Sequence, residues 1–313
     1  MNRALLRIAT VNATSFPTKL RRRFNSSPSI AVPDFLTWFE VIGYTVLLES
    51  DIASRHKIEC SYDDVVLRKE DEWSLFVRHR LRSALQRINP QIPHQVIDTV
   101  ICTCCTSHPD LPKSNYHFHQ LLTEGVDVTY YDGEQTVHDK VWLIDSSNLL
   151  NNDWLVIHPF SVTSPSHAHP ITTVVLINGL PLAVIVQTHP RHVQALRNEA
   201  YQSLQKYIQQ QQALFSYNAL AIACCGNRAK VGTLTSNWQE FLPWRSIDGE
   251  DFSISGTTEL EVLIQGIFDK RRFLELIKDF IKFEDTGTSI SKKLLRHPFC
   301  TIKNPKNSLH NRQ

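Results

Sequence analysis

The chain has 313 residues, of which 42% are hydrophobic and 20% are charged. This composition is ordinary for a globular protein with one large core or two smaller ones. The 33 basic and 31 acidic residues leave a formal net charge of +2, which does not by itself indicate a nucleic-acid partner. No apolar run reaches the ~20 residues that a membrane-spanning helix needs, so we expect no integral membrane protein.

The first 30 residues are basic, and no acidic residue precedes Asp34. The basic residues of this segment are Arg3, Arg7, Lys19, Arg21, Arg22 and Arg23. We expect residues 1–30 to be a flexible extension, because terminal segments are commonly disordered. Two alternatives remain open. The segment fits an arm that contacts phosphates, and it also fits a transit-like peptide, which is rich in arginine and poor in acids.

From residue 31 onwards the sequence alternates between helical and strand patterns. Asp34 is placed to cap a helix that ends near Gly43, and an apolar strand follows over 44–48. Further helices are predicted over 78–88, from residue 94, and around 118–122. Short strands are then predicted over 126–131, 140–144 and 154–162.

The most specific local signal is Asn178-Gly179, which lies between two apolar, β-branched runs over 171–190. Asn-Gly between such runs predicts a two-residue β-hairpin. Because nearly every position of both runs is apolar, we expect the hairpin to be buried on both faces.

After the hairpin, the patterns predict a Gln-rich helix over 199–214 and strands over 217–223 and 231–234. An apolar stripe then predicts a helical segment over 256–290, followed by a basic tail over 291–313. The stripe consists of Ile264, Phe268, Leu274, Ile277 and Ile281. The whole pattern predicts an α/β fold: a three-layer domain over 31–255, with a central mixed sheet flanked by helices and with helical segments at both ends.

Of the seven cysteines, Cys102 and Cys105 have the C-x2-C spacing of a zinc site, but no second pair of this kind exists. We therefore expect free thiols in the reducing cytoplasm and no structural zinc site. Histidines are frequent around the predicted hairpin, and a site made only of histidines is an alternative that imidazole chemistry allows. These histidines are His158, His167, His169, His189 and His192.

Many segments together resemble the N-terminal, nuclease-bearing region of the R subunit of type I restriction enzymes. The longest similar stretches read VGTLT from Val231 and FLPWRSIDGE from Phe241. The similar segments are 44–47, 51–53, 61–67, 81–85, 89–90, 143–145, 151–156, 178–185, 214–220, 231–235, 241–250, 260–264 and 280–285. The resemblance runs in order from about residue 30 to about residue 296, and it implies a restriction-endonuclease-like domain.

Members of that family carry a PD-(D/E)xK nuclease site on this hairpin. Two carboxylates, one on each strand, hold Mg²⁺, which activates water and neutralises charge on the scissile phosphate. A lysine two residues after the second carboxylate shares its face, because strand side chains alternate. The resemblance places Thr172 and Val186 at the carboxylate positions and Thr188 at the lysine position. A helix motif of Gln and Tyr, four residues apart, becomes Ser203 and Tyr207.

The resemblance therefore implies a domain that lacks the usual Mg²⁺ ligands, and we expect neither catalysis nor a metal cofactor here. In the family, ATP is bound by a motor region joined to the nuclease region. This sequence contains no G-x-x-x-x-G-K-[ST] phosphate loop, so we expect no ATP binding.

Two functions from different classes stay open. The first is an inactive binding module for DNA or for the methylase and specificity subunits of the enzyme, with a decaying remnant of a truncated gene as the equal alternative. The candidate DNA-binding residues are Arg191, Arg197, Lys206, Arg228 and Lys230. The second is a Mg²⁺-dependent DNA endonuclease with a relocated carboxylate. For it Glu199 is the candidate, with Asp145 or Asp153 as its partner and Lys206 as a substitute cation. The sequence predicts no oligomeric state.

Overall fold

A computed structural model describes residues 34–48, 72–105, 108–160, 171–188, 195–249 and 257–300. The predicted N-terminal extension over 1–30 and residues 301–313 of the predicted tail lie outside the described residues. No helix in these ranges is long and apolar enough to cross a membrane.

The strands are β1 Thr45–Leu47, β2 Val126–Asp132, β3 Gln135–Val141, β4 Trp154–Ile157, β5 Ile171–Ile177, β6 Leu180–Thr188, β7 Leu220–Cys225, β8 Arg228–Gly232, β9 Ile281–Asp285 and β10 Ile290–Leu294. The helices are α1 Asp34–Val41, α2 Glu72–Ile88, α3 His94–Cys104, α4 Leu111–Glu124, α5 Gln202–Gln210, α6 Gln212–Phe215, α7 Glu259–Ile267 and α8 Lys270–Glu275. Two π-helical turns, Leu196–Tyr201 and Leu276–Phe280, lead into α5 and β9.

A six-stranded mixed sheet forms the centre, in the order β1-β4-β5-β6-β7-β8. The pairs β1–β4 and β6–β7 are parallel, and the other neighbouring pairs are antiparallel. The carboxyl ends of β1, β4, β6 and β7 therefore share one end of the sheet with the first residues of β5 and β8. Strands β2 and β3 form a separate antiparallel pair, so they do not extend the central sheet.

Helices cover both faces of the sheet, which confirms the predicted three-layer α/β architecture. On one face, Leu196, Ala200 and Leu204 lie in one apolar cluster with Val184 and Val186. On the other face, the ring of Phe35 in α1 packs edge-on against His158, with centroids 5.2 Å apart. Phe39 of the same helix contacts Phe268, which follows α7.

The predicted C-terminal helical segment is wrong beyond Phe280. Residues 281–294 form an antiparallel hairpin of β9 and β10, in which Ile281 pairs with Leu294. The apolar stripe predicted the helices correctly, but from Ile281 the pattern changes to period two. Gly287, at φ +80°, allows the turn between the strands. Residues 291–294 therefore belong to a paired strand and not to a free tail.

The Asn178-Gly179 turn confirms the predicted hairpin and fixes it to the layers around it. Both residues have positive φ, 55° and 82°, as a type I′ turn requires. Asn178 is fully buried. Its amide nitrogen donates to the Leu143 carbonyl at 2.9 Å, and its amide oxygen accepts from the Asp153 backbone N–H at 2.7 Å. These two hydrogen bonds therefore hold the turn between β5 and β6 against the 143–153 loop.

Gly179→Ala tests how far the fold depends on this turn. A Cβ at residue 179 would lie 2.7 Å from the Val77 carbonyl oxygen of α2. Gly133→Ala in the β2–β3 turn is the matched control, because Gly133 also has a positive φ (+63°) but no described atom within 4 Å of the added Cβ. In urea unfolding we expect Gly179→Ala to cost at least ~2 kcal/mol more than Gly133→Ala. Equal losses for the two variants would contradict the role given to the turn.

A buried lysine ties the C-terminal hairpin to the domain. Lys292 of β10 is 2% exposed. Its Nζ donates to Asn115 Oδ1 at 2.8 Å and to the Asn218 carbonyl at 2.6 Å. The same Nζ lies 5.3 Å from the centroid of the Phe283 ring. Burial lowers the pKa of Lys292 to about 7. The hairpin is therefore held by a buried lysine amine whose surrounding water has been replaced by carbonyl oxygens and an aromatic face.

The lowered pKa predicts a pH-dependent stability. Between pH 7 and the ordinary lysine value of 10.5, the unfolded chain binds a proton at Lys292 that the folded chain does not. The contribution of this residue to the free energy of unfolding therefore rises with pH. From pH 7 to 10, we expect the difference between wild type and Lys292→Met to move by roughly 3–4 kcal/mol in favour of wild type.

Lys293→Met is the control for this measurement, because Lys293 lies on the same strand but is partly exposed and pairs with Glu284. Its stability curve should run parallel to that of wild type over the same pH range. A Lys292→Met curve that also runs parallel to wild type would contradict the assignment.

Candidate functional site at one end of the central sheet

The three hairpin positions singled out from the sequence lie on one face of the sheet. Thr172 of β5 stands directly opposite Val186 of β6 in the antiparallel register. Thr188 is two residues further along β6, so it projects from the same face as Val186. Val186 is fully buried, Thr172 is 3% exposed, and Thr188 is half-buried. The strands therefore place the two carboxylate positions of the nuclease motif opposite each other, with the lysine position beside them on the same face.

The chemistry of these three side chains is neutral. Val186 belongs to the apolar cluster that contains Leu196, Ala200 and Leu204. The backbone carbonyl of Thr172 accepts from the Phe160 N–H at 2.8 Å. The only polar groups of these three side chains are the hydroxyls of Thr172 and Thr188, and neither hydroxyl carries a charge.

The π-helical turn Leu196–Tyr201 and α5 together form the covering helix, which packs on the face of the sheet that holds Val186. Glu199, Ser203 and Tyr207 lie on successive turns of this helix. Glu199 lies on the π-helical turn that contacts β6 and β7, and it is half-buried. Ser203 and Tyr207 on α5 are also half-buried. The ring of Tyr207 packs edge-on against Phe215, with centroids 5.9 Å apart. The helix was predicted as one element over 199–214, but it begins as a π-helical turn at Leu196 and α6 follows it at Gln212.

The proposed acidic partners of Glu199 lie at the other end of the sheet. Asp153 adjoins the hairpin turn, where its carboxylate accepts from Arg80 at 2.6 Å. The turn is six residues from Thr172 along β5, or roughly 20 Å at the usual rise of a strand. Burial raises the pKa of the Asp145 carboxyl, but hydrogen bonds from Ser147 and its neighbours outweigh this and hold the pKa below its usual value. The Asp145 backbone N–H donates to Asn152 Oδ1 at 3.0 Å, so Asp145 lies beside Asp153 and the hairpin turn. Neither aspartate is therefore placed to complete a site with Glu199.

The one described histidine of the predicted histidine group is a core residue. His158 is 4% exposed, and its Nδ1 lies 2.8 Å from Thr173 Oγ1. Burial lowers its pKa to about 4, so the ring is neutral at physiological pH. The remaining members, His167, His169, His189 and His192, lie outside the described residues. Within the described ranges, no group of three or more His, Cys, Asp or Glu side chains is placed to hold a metal ion.

Two of the five predicted DNA-binding residues lie at the same end of the sheet as the hairpin positions. Arg228 and Lys230 are two residues apart on the edge strand β8, so they share a face. Partial burial lowers the pKa of Lys230, and the charge of Arg228 lowers it further. The two cations are therefore close enough to influence each other.

The structure separates the other predicted basic residues. Arg197 is exposed, and its charge acts on Tyr201 one turn later, so it lies on the Tyr201 side of the covering helix. Lys206 is exposed on α5, whose buried residues Leu204 and Ile208 face the sheet. Arg191 lies outside the described residues.

Sequence reasoning missed Trp238 and Arg245 beside these cations. The Lys230 ammonium lies 4.5 Å from the centroid of the Trp238 ring. Arg245 forms an ion pair with Glu259 at 3.1 Å, and its charge also acts on Lys230. Asn237 and Glu240 form a capping box around Trp238, which is the local pattern that marks this loop as structured. No local pattern shows that it folds back onto β8.

The sequence was compared with protein families and with characterised proteins. A model of the N terminus of the type I restriction enzyme R protein matches residues 36–240. The chain belongs to this family. It is 30% identical over 230 residues to the type I restriction enzyme HindI endonuclease subunit of Haemophilus influenzae. It is also 24% identical over 284 residues to a protein of Methanocaldococcus jannaschii assigned provisionally as the MjaIXP endonuclease subunit.

These two similarities cover most of the chain but a minor part of each relative. The alignments span 71% and 84% of this chain, and 22% and 26% of the two relatives. The chain therefore matches about a quarter of the length of these endonuclease subunits. The β9–β10 hairpin lies beyond the residues that the R-protein family model matches.

The residues present in this R-protein domain do not fit the magnesium ion of its nuclease relatives. Mg²⁺ demands oxygen ligands in octahedral geometry and is usually bound through carboxylates. Val186 offers no donor atom, and it is fully buried in the apolar cluster. The hydroxyl of Thr188 lies 3.5 Å from the Cys224 carbonyl, to which it donates. These three hairpin positions therefore supply no carboxylate to a Mg²⁺ ion.

Val186→Glu tests whether the site has become part of the core. A carboxylate here would be surrounded by the apolar cluster, so at neutral pH we expect a loss of about 3–5 kcal/mol in the free energy of unfolding. The loss should be smaller near pH 4, because burial raises the pKa of the new carboxyl and the neutral form costs less. Thr188→Glu, on the same face but half-buried, should cost less than ~1 kcal/mol. Equal tolerance of the two changes in chemical denaturation would contradict the buried position of Val186.

Proposed function

We propose that this chain is an R-protein domain that binds DNA without cleaving it. The observation that carries the proposal is the Thr172–Val186 pair. The two strands keep the register that would bring a pair of metal ligands together, yet one member is a fully buried valine. Phosphodiester hydrolysis has one of the larger uncatalysed barriers, so a domain without metal ligands should show no useful rate.

DNA rather than another ligand is supported by the family and by charge. The two relatives are named as endonuclease subunits of type I restriction enzymes. Arg228 and Lys230 place positive charge at the sheet end to which the resemblance assigns the nuclease site, and such charge supplies the sequence-independent part of DNA affinity. Methylase or specificity subunits are the alternative partners. They become the favoured ones if DNA does not bind.

The absence of cleavage is tested with supercoiled plasmid in the presence of Mg²⁺ or Mn²⁺. We expect no nicked or linear product from wild type, and no difference between wild type and Glu199→Gln. Metal-dependent cutting that disappears in Glu199→Gln would overturn the proposal and establish a nuclease with a relocated carboxylate. Glu124→Gln, at the end of α4, is the control for the loss of one carboxylate elsewhere.

DNA binding is tested by fluorescence anisotropy with a labelled duplex over a range of salt concentrations. Because binding through phosphates releases counterions, we expect the logarithm of the association constant to fall linearly with the logarithm of salt concentration. No binding at low salt would overturn this half of the proposal.

A further inference from the structure

The degenerate hairpin positions share a row of the sheet with Lys230. Thr172 pairs with Val186, Val186 with Ala223, and Ala223 with Lys230. Residues paired in register project from the same face. Strands lie ≈ 4.8 Å apart, so the Lys230 backbone is only about 10 Å from that of Val186.

The next row, two residues nearer the end of the sheet, also joins a hairpin position to a basic residue of β8. Thr188 pairs with Cys225, and Cys225 pairs with Arg228. Among the described residues of these two rows, Lys230 and Arg228 carry charge, and both charges are positive. The face that holds a cation in the nuclease relatives therefore presents cations itself.

The Lys230 ammonium is held in place by an aromatic cluster. It lies over the Trp238 ring, and Trp238 in turn contacts Phe241 and Tyr201, with centroids 6.4 and 5.5 Å away. The Tyr201 hydroxyl donates to the Ser236 carbonyl at 3.2 Å, which joins the covering helix to the Trp238 loop. A side chain ordered in this way loses less conformational entropy on binding a ligand.

We propose that this end of the sheet binds a DNA phosphate directly, through the Lys230 ammonium and the Arg228 guanidinium, in place of the metal ion used by its nuclease relatives. Lysine supplies a point charge, and arginine supplies a planar fork that matches phosphate oxygens. The inference rests on the proposed DNA binding and adds its location and its independence of metal. Divalent ions then act only as competing counterions.

The test compares two variants that lose the same charge. Lys230→Gln/Arg228→Gln removes both proposed contacts, and Lys113→Gln/Lys278→Gln removes two exposed lysines that are not among the proposed DNA contacts. Binding of a labelled duplex is measured across salt concentrations, first in EDTA and then with added Mg²⁺. Circular dichroism and thermal unfolding establish that each variant is folded.

We expect wild type to bind in EDTA and to bind more weakly when Mg²⁺ is added. The magnitude of the salt slope should fall by about 2 in Lys230→Gln/Arg228→Gln, since each lost phosphate contact removes about 0.9. The control should keep the wild-type slope. Lys230→Arg/Arg228→Lys, which preserves both charges, should keep most of the slope, which separates lost charge from a disturbed fold.

Three results would overturn the inference. Binding that requires Mg²⁺ would indicate a metal-mediated contact. A wild-type slope in Lys230→Gln/Arg228→Gln would place the DNA elsewhere and leave the proposed function standing. No binding by wild type in any condition would remove the proposed function and this inference together.

Discussion

The register between β5 and β6 is the constraint on which the rest of the structure depends. It sets Thr172 opposite Val186 and continues through Ala223 to Lys230. A slip of one residue would exchange the two faces of each strand, moving Val186 out of the apolar cluster and Lys230 out of its row. The buried Asn178-Gly179 turn fixes this register, because Asn178 hydrogen-bonds to the 143–153 loop and Gly179 packs against α2.

This central part of the fold could be predicted because its signals are local. Asn-Gly between β-branched runs specifies a hairpin, and the apolar character of both runs specifies burial on both faces. The C-terminal hairpin was missed because an apolar stripe with helical spacing continues to Ile281, and the change to period two is only a few residues long. Lys292 looked like a residue of a solvated tail, since nothing near it in sequence reveals Asn115 and Asn218 as its partners.

The sequence predicts which residues occupy the candidate site, but it does not predict which residues surround them. The resemblance singled out Thr172, Val186 and Thr188, and the structure supplies their shared face and the full burial of Val186. The sequence also suggested Asp145 and Asp153 as helpers of Glu199, and only the strand order shows that they lie at the opposite end of the sheet. Arg228 and Lys230 could be named as basic residues. Their alignment with the hairpin positions depends on the pairing of three strands, which no local pattern encodes.

We propose that the nuclease scaffold persists while its metal site has been lost. The most direct measurement is titration of Mn²⁺, followed by electron paramagnetic resonance, against wild type and against Thr172→Asp/Val186→Glu/Thr188→Lys. We expect no saturable Mn²⁺ binding by wild type and one saturable site in the triple variant, because the strand register already brings the two carboxylate positions together. A saturable site in wild type that disappears in Glu199→Gln would contradict this proposal and show that the metal site has moved.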